Sequence, residues 1–290
     1  MLSRLKQSIE RRRGSHKRFD KALVRLKYAQ WSFVHKDLAK AWDQVARLAV
    51  PFYGRDLLRQ LTPYAVPGFE DMVRLGKPSD GGYVLPKAIL PLIEAVYTYG
   101  VAGDISFEED LARHVSVPMR LYDHTVDALP ASHEGFTFKK QGIAASRHGA
   151  FDTLSHHLAE NGDMDKQILL KVDIEGYEWD IIPGIVEAEA GHIAAIVLEA
   201  HEFDRYAYLP SFRHILTQLN SRFTLVHIHG NNTCGTVAIS GKYVPVLCEL
   251  TLINNRLVGG KKPLREPLPS AIDVPNQAHL KDIPLDFWMR

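Results

Sequence analysis

The 290 residues are 46% hydrophobic and 24% charged, which is typical of a globular protein with one large domain and an extension. No apolar run approaches the ~20 residues that cross a bilayer, and no signal-peptide segment opens the sequence, so we expect a cytoplasmic location. Two cysteines, Cys234 and Cys248, are too few to indicate a disulfide framework and are compatible with a reducing compartment.

Charge is unevenly distributed along the chain. Residues 1–60 carry 15 Lys/Arg against 5 Asp/Glu, although the formal net charge of the whole chain is only +1. Apolar residues recur at helical spacing from Phe19 to Leu48, and a short helix is expected after Pro51. We interpret residues 1–65 as a basic helical extension. It packs on the body or on a second copy to form a homo-oligomer, or it contacts an anionic surface such as a membrane.

Residues 66–255 alternate between apolar segments and helical ones, which predicts a mostly parallel sheet flanked by helices. Six strands are predicted, around Ala95–Tyr99, Met119–Asp123, Phe136–Ile143, Ile168–Val172, His192–Glu202 and Phe223–Asn232. No helix precedes the last strand, Val246–Asn254, so we expect it to return antiparallel. The proline-bearing segment 256–290 is expected to be a tail that packs on this domain.

Two glycine-bearing segments precede or follow predicted strands. In Asp80-Gly81-Gly82-Tyr83 the adjacent glycines allow a tight turn or a close approach to a ligand, and a plain hairpin turn is the alternative. In Tyr99-Gly100-Val101-Ala102-Gly103-Asp104 a strand opens into a helix. The glycine spacing is looser than a dinucleotide fingerprint, but the context is that of a nucleotide-like ligand. Asp123, one βα unit later, is placed to accept hydrogen bonds from ribose hydroxyls.

Carboxylates and imidazoles follow three of the predicted strands. Asp173 and Glu175 end one strand, Glu199 and His201 end the next, and His229 ends the third. The intervals match the ~30 residues of a βαβ unit, so we expect these side chains to converge at one edge of the sheet, where open α/β sheets bind ligands. The alternative for Asp173 and Glu175 is that they only cap the following helix.

Three segments, Tyr97–Asp104, Asp80–Tyr83 and Lys171–Glu178, resemble those of the FkbM-type methyltransferases, over roughly Asp71–Asn254. The resemblance implies a Rossmann-like class I methyltransferase sheet, mostly parallel with an antiparallel last strand, and S-adenosylmethionine as cofactor. Tyr99 and Ala102 depart from the usual acid-x-Gly-x-Gly-x-Gly turn. The cofactor-binding residues implied are Asp80, Tyr99, Gly100, Val101, Gly103, Asp104, Asp123, Gly142 and Ile143. Among these, Asp80 and Asp104 would face the methionine end, Asp123 the ribose and Gly142-Ile143 the adenine. The alternative for Asp104 is a helix cap.

The expected function is an O-methyltransferase acting on a hydroxyl of a sugar or a glycosylated small molecule, the acceptors with which FkbM-type enzymes are associated. We predict that Asp173, Glu199 and His229 hold a divalent metal such as Mg²⁺, Mn²⁺ or Fe²⁺, since carboxylate and imidazole donors suit such ions. His201 would act as general base, and Glu175 would orient a substrate hydroxyl. The alternative is an acid/base site without an ion.

Two other functions remain open at this stage. A non-catalytic methyltransferase-fold protein could bind a polyanion or a membrane through residues 1–60, although no motif for specific DNA or RNA recognition is present. A metal-dependent hydrolase at the same edge would lack any nucleophile elbow or phosphate loop.

Overall fold

The computed structural model describes residues 36–289, and the chain divides into two compact units between Ala49 and Val50. In the first unit the described residues form helix α1 (Lys36–Arg47); the helical prediction for residues 19–35 lies outside the described part. Helix α2 (Val50–Gln60) opens the second unit. Pro51, which was expected to interrupt the helical pattern, lies in the first turn of α2, where its missing N–H costs nothing.

The second unit contains the remaining elements. In chain order they are β1 (Tyr64–Ala65), β2 (Met72–Leu75), β3 (Tyr83–Pro86), β4 (Ala95–Tyr99), α3 (Ser106–Ala112), β5 (Met119–Tyr122), β6 (Phe136–Lys139), β7 (Gly142–Ile143), β8 (Phe151–Asp152), α4 (Leu154–Asn161), β9 (Ile168–Val172), α5 (Glu178–Ala188), β10 (Ile193–Ala200), α6 (Leu209–Asn220), β11 (Phe223–Gly230), β12 (Thr236–Ile239), β13 (Lys242–Pro245), β14 (Cys248–Asn254) and β15 (Lys262–Pro263). Within residues 36–289, no helix is both long and apolar enough to span a membrane.

Seven strands form the central sheet, in the order β11-β14-β10-β9-β4-β5-β6. Six strands run in one direction, and β14 runs antiparallel between β10 and β11. The prediction of a mostly parallel sheet with an antiparallel last strand is thus confirmed. Strands β9, β10 and β11 are buried along their whole length, as expected for a sheet covered on both faces.

Two details of the sheet differ from the sequence-based expectation. The predicted strand Phe136–Ile143 breaks after Lys139, and β7 leaves the central sheet to pair with β8, because a turn at Gln141 interrupts the ladder. The turn Ser240–Lys242 precedes the predicted last strand. In the structure it closes the separate hairpin β12–β13, which precedes β14.

A β-hairpin covers part of the carboxyl edge of the central sheet. Strands β2 and β3 pair antiparallel, and the loop between them bonds to helix α3 through Gly76 N to Asp110 Oδ2 (2.9 Å) and Lys77 N to Ser106 Oγ (3.1 Å). The hairpin reaches β14 on its other side, where Thr251 Oγ1 donates to the carbonyl of Val84 (2.6 Å). The loop that carries Asp80 therefore lies between the glycine turn after β4 and the antiparallel strand.

The segment after β14 packs on the second unit by apolar anchors and backbone pairing. Strand β15 pairs with β1, and Leu268 pairs with Leu285. Ile283, Leu285 and Phe287 are buried. This packing brings polar side chains of the tail to the same edge of the sheet as the predicted site residues.

Candidate active site

The turn after β4 requires glycine at position 100. Gly100 has φ +84°, and a Cβ at this position would lie 1.6 Å from the carbonyl oxygen of Asp173. The backbone of the turn therefore packs directly on the chain leaving β9, which no side chain would permit. Two predicted regions, the glycine turn and the acidic strand end, are in this way brought into contact.

Asp123 braces this turn from the neighbouring strand. Its Oδ2 accepts from Val101 N (2.9 Å) and Ala102 N (2.8 Å), and its Oδ1 accepts from the N–H (2.7 Å) and the hydroxyl (2.6 Å) of Thr125. Burial acts to raise the pKa of Asp123, but these hydrogen bonds outweigh it and the pKa lies below its usual value. A carboxylate has about four lone-pair positions. In this structure four protein donors bond to the carboxylate of Asp123, and its contact with a ribose stays a prediction.

Tyr99 does not face the cleft. Its ring is buried and stacks on Tyr122 (5.1 Å between centroids), and its hydroxyl lies 2.8 Å from Nδ1 of His157. Only the backbone of Tyr99 reaches the edge of the sheet, where its carbonyl accepts from Asp173 N. Tyr99 therefore contributes its backbone to the edge of the sheet, whereas its side chain packs in the aromatic core.

Asp104 holds the start of helix α3. Its Oδ1 accepts from Ser106 N (3.0 Å), its Oδ2 accepts from Ser106 Oγ (3.2 Å), and Lys77 Nζ lies 3.1 Å away. This is the capping alternative to a contact with the methionine end. The carboxylate also lies against the second glycine segment, since a Cβ on Gly81 would be 2.3 Å from Asp104 Oδ2.

Gly142 and Ile143 are buried at the outer end of the sheet. A Cβ on Gly142 would lie 2.5 Å from the ring of Phe151, so glycine is required here by packing. Ile143 lines a cavity of about 210 Å³ between helices α4 and α5. That volume is below the range of about 300–1,000 Å³ usual for small-molecule sites, so it does not by itself hold a whole nucleoside ligand.

His201 is held by a carboxylate that the sequence reasoning did not single out. Its Nδ1 lies 2.5 Å from Glu178 Oε1, which also accepts from the backbone N of His201 (2.9 Å). Glu178 is fully buried, and its Oε2 accepts from Gly176 N (2.8 Å). Burial acts to lower the pKa of His201, but the bond to Glu178 and the nearby carboxylates raise it above its usual value. The imidazole is therefore fixed in orientation and made more basic.

The other nitrogen of His201 faces the remaining acids. Nε2 lies 3.5 Å from Glu199 Oε2 and 3.6 Å from Glu175 Oε2. Ligand atoms of Asp173, Glu199 and His201 all lie within 4.8 Å of one another. Of the five side chains that were expected to converge, the structure brings Asp173, Glu175, Glu199 and His201 together, without His229.

Glu199 is a buried carboxylate that belongs to two groups of potential metal ligands. It is buried, and its pKa is well above its usual value, first because of burial and then because of the charge of Asp173 beside it. It also belongs to a second group, since ligand atoms of Asp80, Glu199 and Glu249 lie within 4.8 Å of one another. Two carboxylates this close require a shared proton or a cation between them.

His229 does not join Asp173 and Glu199. Its Nδ1 lies 3.0 Å from Glu249 Oε2, and its Nε2 lies 3.1 Å from both carboxylate oxygens of Asp282. Burial acts to lower the pKa of His229, but its hydrogen bonds with Asp282 and Glu249 raise the pKa to about 10. Both ring nitrogens of His229 therefore face carboxylates other than those of Asp173 and Glu199, and the prediction that His229 holds a metal with these two acids has no support in this arrangement.

Strained backbone accompanies this edge of the sheet. Within the described residues, four non-glycine residues have positive φ, and three of them follow β4, β9 and β10: Ala102 (46°), Glu175 (57°) and Glu202 (68°). Such conformations cost free energy and cluster at functional sites. Glu175 and Gly176 turn the chain sharply into helix α5, whose N-cap Tyr177 makes no side-chain capping bond.

Sequence reasoning missed four polar partners at this edge: Glu178, Glu249, Asn276 and Asp282. Glu249 was visible only as one acid within the last predicted strand. Glu178 was visible only as an acid in the first turn of a helix, which usually indicates a favourable dipole interaction. The sequence did not indicate that Glu178 is completely buried against His201. Asn276 and Asp282 belong to a tail without periodicity, so nothing in their spacing indicated that they would reach the sheet.

The glycine turn after β4 is open on one side. Ala102 and Gly103 are exposed, and a Cβ added to Gly103 would meet no atom within 4 Å, so the turn is open on that side. The backbone carbonyl of Asp173 packs against Gly100 on the other side of the turn.

The comparisons with known proteins agree with this geometry. The model of the methyltransferase FkbM domain family matches residues 86–224, a range that includes the glycine turn, Asp173, Glu178, Glu199 and His201. No curated protein matches the chain. The resemblance inferred from the sequence is confirmed: residues 86–224 are similar to the FkbM methyltransferase domain.

Proposed function

We propose that this protein is an S-adenosylmethionine-dependent O-methyltransferase that acts on a hydroxyl of a sugar or a glycosylated small molecule. The strand order β6-β5-β4-β9-β10-β14-β11, with β14 antiparallel, supports a Rossmann-like class I methyltransferase sheet. In such a sheet the cofactor lies over the turn after the first central strand. In this chain that turn holds Gly100, Val101 and Gly103.

One observation carries the proposal: an imidazole fixed by a buried carboxylate faces the same edge as the open glycine turn. The pair Glu178–His201 has the geometry of a general base with an orienting acid. Nε2 of His201 is directed toward Glu199 and Glu175 at that edge. It can therefore receive a proton from an acceptor hydroxyl that lies between these acids.

The cofactor, when bound, supplies an electrophilic methyl group on sulfonium sulfur. Nε2 of His201 would take the proton of the acceptor hydroxyl, so that the oxygen can receive the methyl group that the cofactor would supply. Glu178 stabilises the imidazolium that results, and Glu175 orients the hydroxyl. Asp123 keeps the glycine turn in place during the reaction.

The negative charge of the carboxylates at this edge affects which acceptors can bind there. Three acids lie close to His201: Asp173, Glu175 and Glu199. Asp80 belongs to the second group of carboxylates, which it forms with Glu199 and Glu249. Neutral polyols or amino sugars are compatible with that field, whereas sugar phosphates and uronic acids are disfavoured.

The test separates binding from chemistry. Isothermal titration should detect S-adenosylhomocysteine binding to the wild type, and methyl transfer from labelled S-adenosylmethionine should be measured on a panel of neutral and amino glycosides. The variant His201→Asn should keep its affinity for S-adenosylhomocysteine within about twofold and lose about 100-fold in kcat. Absence of cofactor binding by the wild type would refute the proposal, and full activity of His201→Asn would refute the assignment of the base.

A second function is favoured by one separate observation. In the first unit Trp42, Val45 and Leu48 expose 42%, 58% and 76% of their surface, on or next to a helix within the basic residues 1–60. Aromatic and aliphatic side chains beside Lys and Arg suit the surface of an anionic membrane. Co-sedimentation with anionic vesicles that falls steeply with added salt, and is absent with neutral vesicles, would support it.

A further inference from the structure

Two buried glutamates face each other across the antiparallel pair at the centre of the site. Glu199 on β10 is directly opposite Glu249 on β14, and each exposes only 6% of its surface. Like charges at such positions are destabilising. The loop between β2 and β3 adds Asp80 to the pair, within 4.8 Å of both.

The nearby cations make their direct bonds to other groups. Arg74 is near enough for its charge to act on Glu249, but its guanidinium donates to the carbonyls of Lys77 and Ser79. Lys171 Nζ lies 3.9 Å from Glu108 and donates to the carbonyl of Gly100 (3.5 Å). His229 lies between Glu249 and Asp282, and each of its ring nitrogens faces one of these two carboxylates. Among residues 36–289, no Lys or Arg forms an ion pair with Asp80, Glu199 or Glu249. Negative charge therefore remains in excess at a site that is largely removed from water.

A buried amide from the tail points into the same group. Asn276 exposes 3% of its surface, and its Nδ2 donates to Asp80 Oδ1 (3.0 Å) and Glu249 Oε1 (2.6 Å). Its Oδ1 is buried and has no hydrogen-bond partner in the described part of the chain. A buried polar atom without a partner is unusual in a folded protein. Rotation of the amide by half a turn would exchange the two atoms and direct Oδ1 at the carboxylates.

We propose that Asp80, Glu199 and Glu249, with Oδ1 of Asn276, form a binding site for one hard divalent cation such as Mg²⁺ or Mn²⁺. The donors are all oxygens, which these ions prefer. Asp80 is exposed and provides an entry path, and the His229–Asp282 pair braces Glu249 from behind.

This site would serve the proposed methyl transfer without competing with the base. The other group of potential ligands includes His201, and coordination through its Nε2 would occupy the nitrogen that must take the proton. A cation on the Asp80–Glu249 side of Glu199 leaves Nε2 free. Two neighbouring hydroxyls of a polyol could then approach the cation while one of them faces His201.

The experiment uses Mn²⁺ as the probe and the full chain without cofactor, so it does not depend on methyltransferase activity. Electron paramagnetic resonance titration should show one bound Mn²⁺ per chain in the wild type. Asp80→Asn, a change at an exposed position, should weaken Mn²⁺ binding at least 10-fold. The matched variant His201→Asn should keep the wild-type affinity within about twofold.

Thermal unfolding gives a second readout on the same proteins. Mn²⁺ should raise the Tm of the wild type and of His201→Asn, and it should leave the Tm of Asp80→Asn unchanged. Substoichiometric Mn²⁺ in the wild type would overturn the proposal, as would loss of binding in His201→Asn with retention in Asp80→Asn. Mn²⁺ binding without any S-adenosylhomocysteine binding would keep this site and reject the proposed reaction instead.

Discussion

At the scale of single residues, the pair Glu178–His201 provides the general base and its orienting acid in the proposed reaction. Glu178 begins helix α5, and His201 follows the end of β10, so the pair joins two successive crossover units. The carboxylate has no exposed surface and bonds the imidazole, the backbone of His201 and Gly176. Its negative charge is tolerated in the interior because three donors surround it.

The first prediction concerns that charge. Glu178→Gln should lower kcat about 100-fold or more, because the neutral amide stabilises neither the required tautomer nor the imidazolium, and S-adenosylhomocysteine affinity should be unchanged. Asp180→Asn removes an exposed acid from the same turn of α5 and should keep kcat near the wild-type value. Steady-state kinetics and titration calorimetry on both variants would check this, and equal losses would argue against a special role for Glu178.

The second prediction concerns the glycines of the turn after β4. Gly100→Ala should destabilise the fold by about 3 kcal/mol or more, since it adds a strained φ to a clash with the carbonyl of Asp173. Gly103→Ala adds the same methyl group where no atom lies within 4 Å, so it should leave stability within about 0.5 kcal/mol. Urea unfolding compares the two, and a stable Gly100→Ala would show that the turn can move away from β9.

The residue-level predictions succeeded where periodicity determined position. The ~30-residue repeat of βαβ units was enough to bring Asp173, Glu199 and His201 to one edge. It could not give the partner of His229, which lies 53 positions later in the tail. Pairings that depend on an aperiodic segment follow from the packed structure alone.

At the scale of elements, the two faces of the central strands have different roles. Tyr97 and Tyr99 on β4 pack into an aromatic cluster with Tyr122. Between them Thr98 faces the other side, where its hydroxyl donates to Glu108 (2.7 Å). Lys171 on β9 is in register with Thr98 and lies over the ring of Tyr83. Strand β9 thus supports helix α3, the glycine turn and the hairpin with one buried cation.

The third prediction tests this support by a double-mutant cycle. Lys171→Met should destabilise the protein by about 3–5 kcal/mol, because it leaves the buried carboxylate of Glu108 without its ion-pair partner. Glu108→Gln keeps the shape and the bond from Thr98, so combining it with Lys171→Met should restore part of the loss. Urea unfolding of the four proteins measures the coupling, and strict additivity would show that the pair does not interact.

Elements with a strong apolar pattern could be predicted, and those that depend on an interruption could not. Strands β9, β10 and β11 are continuous buried segments, and their existence and direction followed from the sequence. The departure of β7 from the sheet depends on a local turn at Gln141. Gly142 follows that turn, but one glycine beside an apolar run did not distinguish a break in the strand from its continuation.

At the scale of the whole second unit, ionisable groups lie both at the carboxyl edge of the sheet and in the interior. Several acidic side chains lie at the carboxyl edge. His157 packs on the aromatic face of β4 and exposes none of its surface. Tyr122 stacks on His157 at 4.1 Å, and Nε2 of His157 has no hydrogen-bond partner among residues 36–289. Burial lowers the pKa of His157 to about 4, and the charges of Asp152 and Glu160 only partly oppose this effect.

The fourth prediction follows from that pKa. Above pH 6.5 His157 is neutral in both folded and unfolded chains and makes no pH-dependent contribution. Between pH 6.5 and about 4 the unfolded chain binds a proton that the folded chain excludes, so stability falls as the pH is lowered. His157→Phe keeps the stacking and cannot titrate. Its unfolding free energy relative to the wild type should be constant above pH 7 and should rise by about 3 kcal/mol toward pH 4. Urea unfolding across this range measures the difference, and a constant offset would mean that His157 is protonated within the folded protein.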